Sequence, residues 1–473
     1  MSVAGARHAL HPSILREYDI RGILGETLSV ADAGAVGRAF GSIVTKDGGT
    51  SVCVGRDGRL SSPELEQALV EGLASTGLEV HRIGLGPTPM LYFAVHHLQA
   101  SAGIMVTGSH NPPDHNGFKM VLNKRPFFGR DIALLGRVAA AGAFSSGRGR
   151  VEDTFVTIDY VDRLLEDWDG GDRELTVVWD PGNGAAGAAL GALLHGLPGH
   201  HIVLNGAVDG TFPAHHPDPT DPATLTQLRE AVLEEQADLG IAFDGDGDRI
   251  GVVDGKGRIL WGDEILALLA EPVLKANPGA PIIADVKASQ SLFDRIAELG
   301  GRPLMYRTGH SLIKAHMAKV GAPLAGEMTG HIFFADRYFG FDDALYTAVR
   351  LLGMIARWPK PLTLALRYDH MPKPVNTPEL RFPCPDSVKF EIMDYVKTVL
   401  TERQAAFSDV DGVRVNREEG WWLLRASNTQ AELVARCESM TQDGLEVLKT
   451  DLSDVLGTVG MPVPPALLNA RES

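Results

Sequence analysis

Residues 51–75 read Ser51-Val-Cys-Val54, then Gly55-Arg-Asp-Gly-Arg-Leu-Ser-Ser62, then a helical pattern from Pro63 to Ser75. A short apolar run, a polar turn and a periodic segment predict a strand, a loop and a helix. The same order recurs from Thr176 and again from Pro281. Three such units along one chain predict repeated α/β domains built on largely parallel sheets.

The last hundred residues follow a different pattern. Apolar runs at Val413–Val415, Trp421–Leu424 and Glu432–Cys437 predict neighbouring antiparallel strands, and a helical pattern follows from Leu445 to Val455. Proline-rich stretches near 359–361 and 371–374 indicate a linker before this part. We therefore expect a smaller α+β domain at the end of the chain.

One loop offers a candidate nucleophile. Residues 107–120 read Thr-Gly-Ser-His-Asn-Pro-Pro-Asp-His-Asn-Gly-Phe-Lys-Met, and the apolar run Ala102–Val106 leads into them. The Gly, Asn and Pro content predicts an irregular loop, which places Ser109 at the end of a strand, where α/β proteins carry their chemistry. His110 and Lys119 are near enough in sequence to carry protons. A proline-bracketed surface turn with a capping serine is the alternative for this segment alone.

A second loop offers a cation site. Residues 239–249 read Leu-Gly-Ile-Ala-Phe-Asp-Gly-Asp-Gly-Asp-Arg, which places carboxylates at Asp244, Asp246 and Asp248. Three hard oxygen donors on a strand–loop–strand element suit Mg²⁺ or Mn²⁺ better than zinc. An EF-hand is excluded because Arg249 and Gly255 stand where that motif requires glycine and glutamate. The alternative is a solvated acidic turn. Arg249 is either a phosphate ligand beside the metal or a simple counter-ion.

Two further loops are weaker signals on their own. Glu327, Thr329 and His331 lie between glycines in Ala325–Ile332, and a carboxylate there can accept hydrogen bonds from vicinal sugar hydroxyls. The segment Arg425-Ala-Ser-Asn-Thr429 follows an apolar run and presents a guanidinium, two hydroxyls and an amide, a set that suits a phosphate. A capped turn is the alternative for the second loop.

Composition narrows the class of protein. The 473 residues predict three or four domains, and a net charge of −16 argues against a nucleic-acid partner. No apolar run is long enough to span a membrane, and residues 1–10 lack a signal-peptide pattern. Three cysteines without metal spacing favour a reducing cytoplasm. No obligate protein partner is inferred. An enzyme of anionic substrates in so acidic a chain must concentrate Arg and Lys in its cleft.

Taken together, the loops resemble those of the α-D-phosphohexomutase family, and within it the bacterial phosphomannomutase/phosphoglucomutase group. The matching segments span nearly the whole chain: Arg16–Gly22, Thr107–Met120, Asp244–Arg249, Arg307–Ser311, Gly326–His331, Phe339–Asp343 and Arg425–Thr429. The resemblance implies three similar α/β domains with mixed sheets and a smaller C-terminal α+β domain around a central cleft. We expect their boundaries at 1–153 (phosphoserine loop), 154–257 (metal), 258–371 (sugar) and 372–473 (phosphate).

The resemblance also implies a reaction. Ser109 would carry a phosphate that passes to a hexose 1- or 6-phosphate, and the resulting 1,6-bisphosphate, also the activator, would return its other phosphate to the serine. Mg²⁺ would bind Asp244, Asp246, Asp248 and the Ser109 phosphate, with Arg21 and Arg249 adding positive charge. Lys119, whose pKa we expect to be lowered by neighbouring cations, is a candidate proton carrier. His110, His331 and His310 are alternatives.

The resemblance assigns substrate contacts as well. Arg425, Ser427, Asn428 and Thr429 would hold the phosphate that is not reacting, and Glu327 and Thr329 would bind sugar hydroxyls. Lys287, Tyr18, His310 and Arg249 complete the expected substrate-binding set. Because the phosphate clamp lies on the last domain, we expect rotation of that domain to open and close the cleft.

Alternatives remain at this point. Met328 favours the mannose/glucose subgroup over phosphoglucosamine mutases, which usually carry Gln there, while Thr329 replaces the Ser usual in that subgroup. A Mg²⁺-dependent sugar-phosphate phosphatase would use Asp244-Gly-Asp246 as a nucleophile motif, but it leaves the Ser109 loop without a role. A sugar-phosphate sensor without activity is disfavoured because Ser109, Lys119 and the three aspartates are all present.

Overall fold

The structure is a computed structural model, and it describes residues 7–171, 173–428 and 430–467. Four sheets divide these residues into four units, which we call domains 1 to 4. The boundaries that we expect at 153, 257 and 371 stay predictions. None of the helices in the described ranges has both the length and the apolar character to cross a membrane.

Domain 1 contains a seven-stranded sheet in the order β1-β5-β4-β2-β3-β7, with β6 paired to β5. Strands β4, β2, β3 and β7 run parallel, whereas β5 is antiparallel to both β4 and β1. The elements are β1 (Ile20–Ile23), α1 (Val30–Lys46), β2 (Ser51–Arg56), α2 (Ser62–Ala74), β3 (Glu79–Leu85), α3 (Thr88–His97), β4 (Ala102–Val106), β5 (His115–Leu122), β6 (Arg125–Pro126), α4 (Arg130–Ala141) and β7 (Arg150–Asp153).

Domain 2 has a five-stranded sheet in the order β12-β11-β10-β8-β9. Strands β9, β8 and β10 are parallel, and β11 returns antiparallel to β10. The elements are α5 (Thr157–Leu165), β8 (Thr176–Asp180), α6 (Gly187–Gly196), β9 (His200–Val203), α7 (Thr226–Glu234), β10 (Leu239–Phe243), β11 (Ile250–Asp254) and β12 (Ile259–Leu260).

Domain 3 has a four-stranded sheet in the order β14-β13-β15-β16, in which only β16 is antiparallel to its neighbour. The elements are α8 (Gly262–Ala276), β13 (Pro281–Asp285), α9 (Gln290–Glu298), β14 (Arg302–Tyr306), α10 (His310–Val320), β15 (Leu324–Gly326), β16 (Ile332–Phe334), α11 (Ala344–Ala356) and α12 (Leu364–Asp369).

Domain 4 is an antiparallel sheet in the order β17-β22-β21-β20-β19, with β18 paired to β22. The elements are β17 (Val375–Asn376), β18 (Leu380–Pro383), α13 (Lys389–Glu402), β19 (Phe407–Ser408), β20 (Val413–Arg417), β21 (Gly420–Ala426), β22 (Glu432–Ser439) and α14 (Gln442–Thr458). Short 3₁₀ helices lie at Pro12–Ile14 and Pro465–Leu467. The predicted C-terminal α+β domain is confirmed.

Domains 1 to 3 place one loop at the same topological position. In each of them a parallel strand ends, the chain turns, and an antiparallel strand returns beside it: β4 to β5, β10 to β11 and β15 to β16. The three turns are residues 107–114, 244–249 and 327–331. These turns contain the three candidate loops of domains 1 to 3. The repeated fold therefore places each candidate loop at the equivalent edge of its sheet.

The first candidate loop is shorter than its composition predicts. We expect an irregular segment over 107–120, but strand β5 begins at His115, pairs with β1 over His115–Phe118 and pairs with β4 over Phe118–Leu122. Asn116 and Gly117 are accommodated because the Asn116 side chain bonds Ser61 and Ser62, at 2.9 Å each. Lys119 is therefore held on a rigid strand rather than on a mobile loop.

The apolar cores separate domain 4 from the rest. One large cluster of buried residues joins helix α3 of domain 1 to the sheets of domains 2 and 3, whereas domain 4 packs around its own cluster. Within the described residues, one small cluster, in which Val286 packs with Trp421 and Leu423, connects domain 4 to domain 3 through apolar contact. The structure thus gives domain 4 a separate core.

Candidate active site

The serine and the aspartate triplet meet in one pocket. Ser109 is buried, and its Oγ donates to Asp244 Oδ2 at 3.1 Å, although the two residues lie on different domains. His110 Nδ1 lies 3.1 Å from the same hydroxyl. The hydroxyl, the imidazole and the carboxylate cluster are therefore within reach of a single phosphoryl group.

The serine loop is held in an uncommon backbone conformation. Ser109 has φ +51°, a left-handed value that non-glycine residues adopt at an energetic cost. Its amide donates to Thr107 Oγ1 at 2.8 Å. The buried Arg59 donates to the carbonyl of Ser109 at 2.7 Å and to that of Asn111 at 2.6 Å. The hydrogen bonds with Thr107 and Arg59 thus offset the strain and hold the backbone of Ser109 in place.

Arg59 is a site residue that the sequence analysis missed. Besides the two carbonyls already described, it donates to His115 O at 3.0 Å and pairs with Asp57, which also accepts from the amide of Gly108. Asp57 and Arg59 lie on the loop after β2, in the segment that predicts the strand–loop–helix unit. Arg59 could have been predicted as a site residue, because it and Asp57 place opposite charges in a loop at the carboxyl end of a parallel strand.

The three aspartates form a compact group. Ligand atoms of Asp244, Asp246 and Asp248 all lie within 4.8 Å of one another, and all three side chains are buried. Asp244 Oδ1 accepts the amides of Asp248 and Arg249 at 3.0 and 3.1 Å, which closes the loop on itself. Burial, together with the charges of Asp248 and Asp246, raises the pKa of Asp244 well above its ordinary value.

This donor set fits a divalent cation. Asp246 Oδ1 and Asp248 Oδ1 are buried and make no hydrogen bond in the described part of the chain, so two acceptor oxygens lack donors. Carboxylate oxygens are the ligands that Mg²⁺ prefers, and the nearest imidazole nitrogen, His331 Nδ1, lies 3.5 Å from Asp248 Oδ1. A cation would also relieve the repulsion that raises the pKa of Asp244. The Ser109 hydroxyl donates a hydrogen bond to Asp244, a member of this group.

Lys119 contacts two of the aspartates. Its Nζ lies 2.7 Å from Asp246 Oδ2 and 2.5 Å from Asp248 Oδ2. Burial disfavours the charged lysine, but the two carboxylates outweigh it and hold the pKa of Lys119 well above its ordinary value. The expected lowering by neighbouring cations is therefore wrong here, because carboxylates face the ammonium group. Burial likewise favours the neutral form of Asp246, yet Lys119 keeps the pKa of Asp246 below its ordinary value.

Cationic and imidazole groups surround the serine. Arg21 donates to Asn111 Oδ1 at 2.5 Å and pairs with Asp19. Arg249 donates from Nε to His331 Nε2 at 2.9 Å and lies 3.9 Å from Asp218. Burial, followed by the charge of Arg249, lowers the pKa of His110 well below its ordinary value, which favours a neutral imidazole beside the hydroxyl.

A second buried cluster lies behind His331. His331 Nδ1 is 3.0 Å from Asp342 Oδ2, and the ring stacks on His310 with centroids 5.3 Å apart. Lys314 Nζ lies 2.7 Å from Asp342 Oδ1 and 3.3 Å from His310 Nδ1. Burial lowers the pKa of His310. Asp342 and Lys314 were not predicted as site residues. The Phe339–Asp343 segment of the family resemblance was the signal for Asp342.

The turn 327–331 of domain 3 brings Glu327 into the cleft. Glu327 is buried, and its Oε1 accepts the amide of Gly309 at 2.6 Å. Thr329 is half-buried two residues further along the same turn. Asp285, at the end of β13, accepts the amide of Met328 at 3.1 Å and holds the turn from below. The loop thus presents a carboxylate and a hydroxyl to the same side.

Domain 4 closes the far end of the cleft. Arg425 is buried and pairs with Asp411 at 2.9 Å, and Asn428 Nδ2 donates to Tyr18 OH at 2.9 Å. Ser427 lies beside them, and its Oγ accepts the amide of Gln430 at 3.1 Å. Thr429 lies outside the described residues. Lys287 faces Glu379 at 3.2 Å, a pairing that the sequence analysis did not predict.

These groups line one cleft of about 280 Å³, near the lower end of the size range of small-molecule sites. It has seven basic lining residues against four acidic ones, so the predicted concentration of Arg and Lys in an acidic chain is confirmed. The predicted residues in the lining are Tyr18, Arg21, Ser109, His110, Lys119, Arg249, Lys287, His310, Glu327, Thr329, His331, Arg425, Ser427 and Asn428. Asp244, Asp246 and Asp248 lie beneath it, in contact with Ser109 and Lys119.

Comparison with known proteins identifies the family. Models of the phosphoglucomutase/phosphomannomutase α/β/α domains I, II and III match residues 12–133, 159–257 and 261–372, and the model of the C-terminal domain matches residues 379–455. A protein of Pseudomonas aeruginosa named phosphomannomutase/phosphoglucomutase is 43% identical over 466 residues, which covers 98% of this chain and 100% of the relative. A phosphoglucomutase of Neisseria meningitidis is 40% identical over 447 residues, 94% of this chain and 96% of the relative.

A solved structure agrees. A phosphoglucomutase/phosphomannomutase family protein from Burkholderia thailandensis superimposes with a TM-score of 0.90 at 42% identity, covering 96% of this chain and 98% of that one. The chain therefore belongs to the phosphoglucomutase/phosphomannomutase family of phosphohexomutases. It is an isomerase that interconverts hexose phosphates.

Proposed function

We propose that Ser109 is the phosphate carrier of this phosphohexomutase and that the enzyme acts on mannose phosphates, glucose phosphates or both. The observation that supports this assignment is the 3.1 Å contact between Ser109 Oγ and Asp244 Oδ2. It places the hydroxyl on a group of three buried carboxylates, inside a cleft with a surplus of basic side chains. Phosphoryl transfer needs alignment and charge stabilisation above all, and these groups supply both.

The reaction conserves phosphate over a full cycle. A phosphoryl group leaves Ser109 Oγ for the free hydroxyl of a hexose monophosphate, and that hydroxyl loses its proton. The resulting hexose 1,6-bisphosphate turns over in the cleft, and its other phosphoryl group passes to Ser109 Oγ while the sugar oxygen regains a proton. The bisphosphate can also phosphorylate Ser109 in an enzyme molecule that has lost its phosphate, and it therefore serves as the activator.

Asp244, Asp246, Asp248 and the phosphorylated Ser109 would hold Mg²⁺, which supplies charge neutralisation for the transferred group when bound. Asp246 Oδ1 and Asp248 Oδ1, which make no hydrogen bond within the described residues, support this role. Arg21 and Arg249 line the cleft around Ser109 and contribute further positive charge. Lys119, which lines the cleft beside Asp246 and Asp248, would contact a substrate oxygen.

Proton transfer falls to groups already beside the reacting atoms. His110 lies on the Ser109 hydroxyl, and burial favours its neutral form, which can accept a proton. Lys119, His331 and His310 line the cleft and are the other candidates for the two half-reactions. His331 Nε2 accepts a hydrogen bond from Arg249 while Asp342 faces Nδ1, so its ring is held in one orientation.

The far end of the cleft grips the second phosphate. Arg425, Ser427, Asn428 and Thr429 would bind it in either orientation of the substrate. Glu327 and Thr329 would bind hydroxyls common to both orientations, and Lys287, Tyr18 and His310 would complete the contacts. The separate core of domain 4 supports its rotation as the motion that opens and closes this end.

Small sugar phosphates are the partners that this site requires, and we propose no nucleic-acid, membrane or obligate protein partner. We also propose a cytoplasmic location. All three cysteines, Cys53, Cys384 and Cys437, are buried and unpaired, as is usual in a reducing compartment.

Ser109→Ala tests the carrier assignment. We expect turnover of glucose 1-phosphate and mannose 1-phosphate to fall by at least about a thousandfold, because the covalent step is lost. Intact mass should show one phosphate on the wild type and none on the variant after incubation with glucose 1,6-bisphosphate. If Ser109→Ala keeps the turnover of the wild type, the assignment is refuted. Release of inorganic phosphate without isomer formation would instead indicate a phosphatase.

Removal of divalent cations tests the aspartate group. We expect EDTA to abolish turnover and added Mg²⁺ to restore it, because Asp244, Asp246 and Asp248 would otherwise leave the transferred charge unneutralised. Asp246→Asn should raise the Mg²⁺ concentration needed for half-maximal turnover. Asp443→Asn, a surface change on α14, is the control. Turnover that persists in EDTA would contradict the metal role.

A further inference from the structure

A second and larger cavity lies between domains 1 and 3. It has a volume of about 1110 Å³, against about 280 Å³ for the cleft, and shares none of the residues assigned to the reaction. Its walls come from α3, the β5–β6 turn and α4 on one side, and from α10 and the Phe339–Phe341 segment on the other. Small-molecule sites often lie at such interfaces between domains.

One wall of the cavity is an aromatic cluster. The ring of His96 packs against Phe339 with centroids 4.5 Å apart, and Phe339 stacks on Phe341 at 5.8 Å and 11°. Burial lowers the pKa of His96 to about 4, so this imidazole is neutral at physiological pH and behaves as part of the aromatic surface. Phe339 is more than one third exposed. An exposed aromatic face of this kind suits a planar ring.

The rim adds positive charge. Lys46, Lys124 and Arg125 line the cavity on the domain 1 side. Of the three acidic lining residues, Asp336 is paired with Arg350 at 2.9 and 2.8 Å, so the three basic rim residues outnumber the two other carboxylates, Asp47 and Asp131. In a chain with a net charge of −16, this rim is a local site for anions.

One helix connects the cavity to the active site. Helix α10 begins with His310 in the cleft, whereas Lys314, Ala315 and Ala318 on the same helix line the cavity. Lys314 is buried between the two spaces, with its Nζ 3.3 Å from His310 Nδ1 and 4.5 Å from the centre of the Tyr92 ring. A ligand that moves α10 or Lys314 therefore changes the surroundings of His310.

We infer that this cavity is a regulatory site for small aromatic anions, and that its occupation alters turnover through α10 and Lys314. The ring stacks on the His96–Phe339–Phe341 wall, and the anionic group is held by the Lys46, Lys124 and Arg125 rim. The binding half of this inference is independent of the proposed function. The coupling half rests on it.

The probe is 8-anilinonaphthalene-1-sulfonate, which combines fused rings with one sulfonate. Its fluorescence is titrated with the full-length, Mg²⁺-loaded and phosphorylated enzyme, and glucose 1-phosphate turnover is measured across the same concentrations. Ala318→Phe fills the cavity from an exposed position on α10, and Ala297→Phe on α9 is the matched control. Arg125→Glu reverses one rim charge. Lys319→Glu, on α10 but outside the lining, is its control.

We expect saturable binding of one probe per chain, about tenfold weaker in Ala318→Phe and in Arg125→Glu and unchanged in both controls. Turnover should change along the same saturation curve in the wild type but not at those concentrations in Ala318→Phe. Equal binding by wild type and Ala318→Phe, or displacement of the probe by glucose 1,6-bisphosphate, would overturn the site. Binding without any change in turnover would overturn the coupling. If the enzyme shows no glucose 1-phosphate turnover in the absence of the probe, that result counts against the proposed function and not against the cavity. Fluorescence measures binding of the probe independently of turnover.

Discussion

At the scale of single residues, the approach of the Ser109 loop to the turn 244–249 depends on a missing side chain. A Cβ on Gly245 would lie 2.3 Å from the carbonyl oxygen of Ser109, closer than two such atoms can come. The next glycine, Gly247, has φ +72° and lets the loop turn back. The glycines of the acidic triplet are therefore required for contact between domains as well as for local turning.

Gly245→Ala tests this contact. We expect turnover to fall by about a hundredfold, because the added methyl group must displace Ser109 from the carboxylates. Gly191→Ala is the matched control, since a Cβ there, on the surface of α6, meets no atom of the described residues within 4 Å. The control should keep full turnover and gain up to about 1 kcal/mol of stability. Steady-state kinetics and thermal unfolding measure both effects, and full activity of Gly245→Ala would contradict the role of the contact.

At the scale of elements, the beginning of α11 is tied to helix α5 through one carboxylate. Asp343 caps α11 by accepting the amide of Tyr346 at 2.9 Å. It also accepts from Tyr160 of α5 at 2.9 Å and from Tyr338 at 3.0 Å. Burial raises the pKa of Asp343 from 3.8 to about 7. The folded protein thus takes up a proton here that the unfolded chain releases above about pH 4.

This shift predicts a pH dependence of stability. Because the folded pKa is raised, the stabilising contribution of the protonated group is complete below about pH 4 and is lost as the pH rises through about 7. Asn remains neutral and still caps a helix. The free energy of unfolding of Asp343→Asn should therefore rise relative to that of the wild type by a few kcal/mol at most as the pH is raised from 5 to 8. Melting temperatures at both values measure this. Asp294→Asn, exposed on α9, should show no such trend.

At the scale of the whole molecule, one hydroxyl joins three domains. Tyr18 OH donates to Thr308 O at 2.9 Å and accepts from Asn428 Nδ2 at 2.9 Å, which links domain 1 to domains 3 and 4. Domain 4 is further attached through buried Arg414, which donates to Val286 O and Ala288 O at 2.8 Å each. These contacts of domain 4 with the rest are polar, and polar contacts are easier to break and remake than a shared core.

Tyr18→Phe tests the bridge. We expect KM for glucose 1-phosphate to rise by about tenfold with a smaller change in kcat, because the two hydrogen bonds that join Tyr18 to domains 3 and 4 are lost. Small-angle scattering should show a larger radius of gyration than wild type in the presence of substrate. Tyr395→Phe, an exposed change on α13 of domain 4, is the control. Unchanged KM and radius would show that the bridge does not contribute to closure.

What the sequence determined by itself is local. The strand–loop–helix units, the antiparallel C-terminal strands, the donor chemistry of the aspartate triplet and the candidate serine follow from short-range pattern, and the family resemblance adds their expected roles. The tertiary structure decided which groups meet. Four contacts join residues on different elements, most of them far apart in sequence. They are Arg59 with the carbonyl of Ser109, Asp342 with His331, Glu379 with Lys287, and the carboxylates of Asp246 and Asp248 with Lys119. The predicted pKa of Lys119 was wrong for that reason, since a charge is set by its neighbours in space, and no short pattern specifies them.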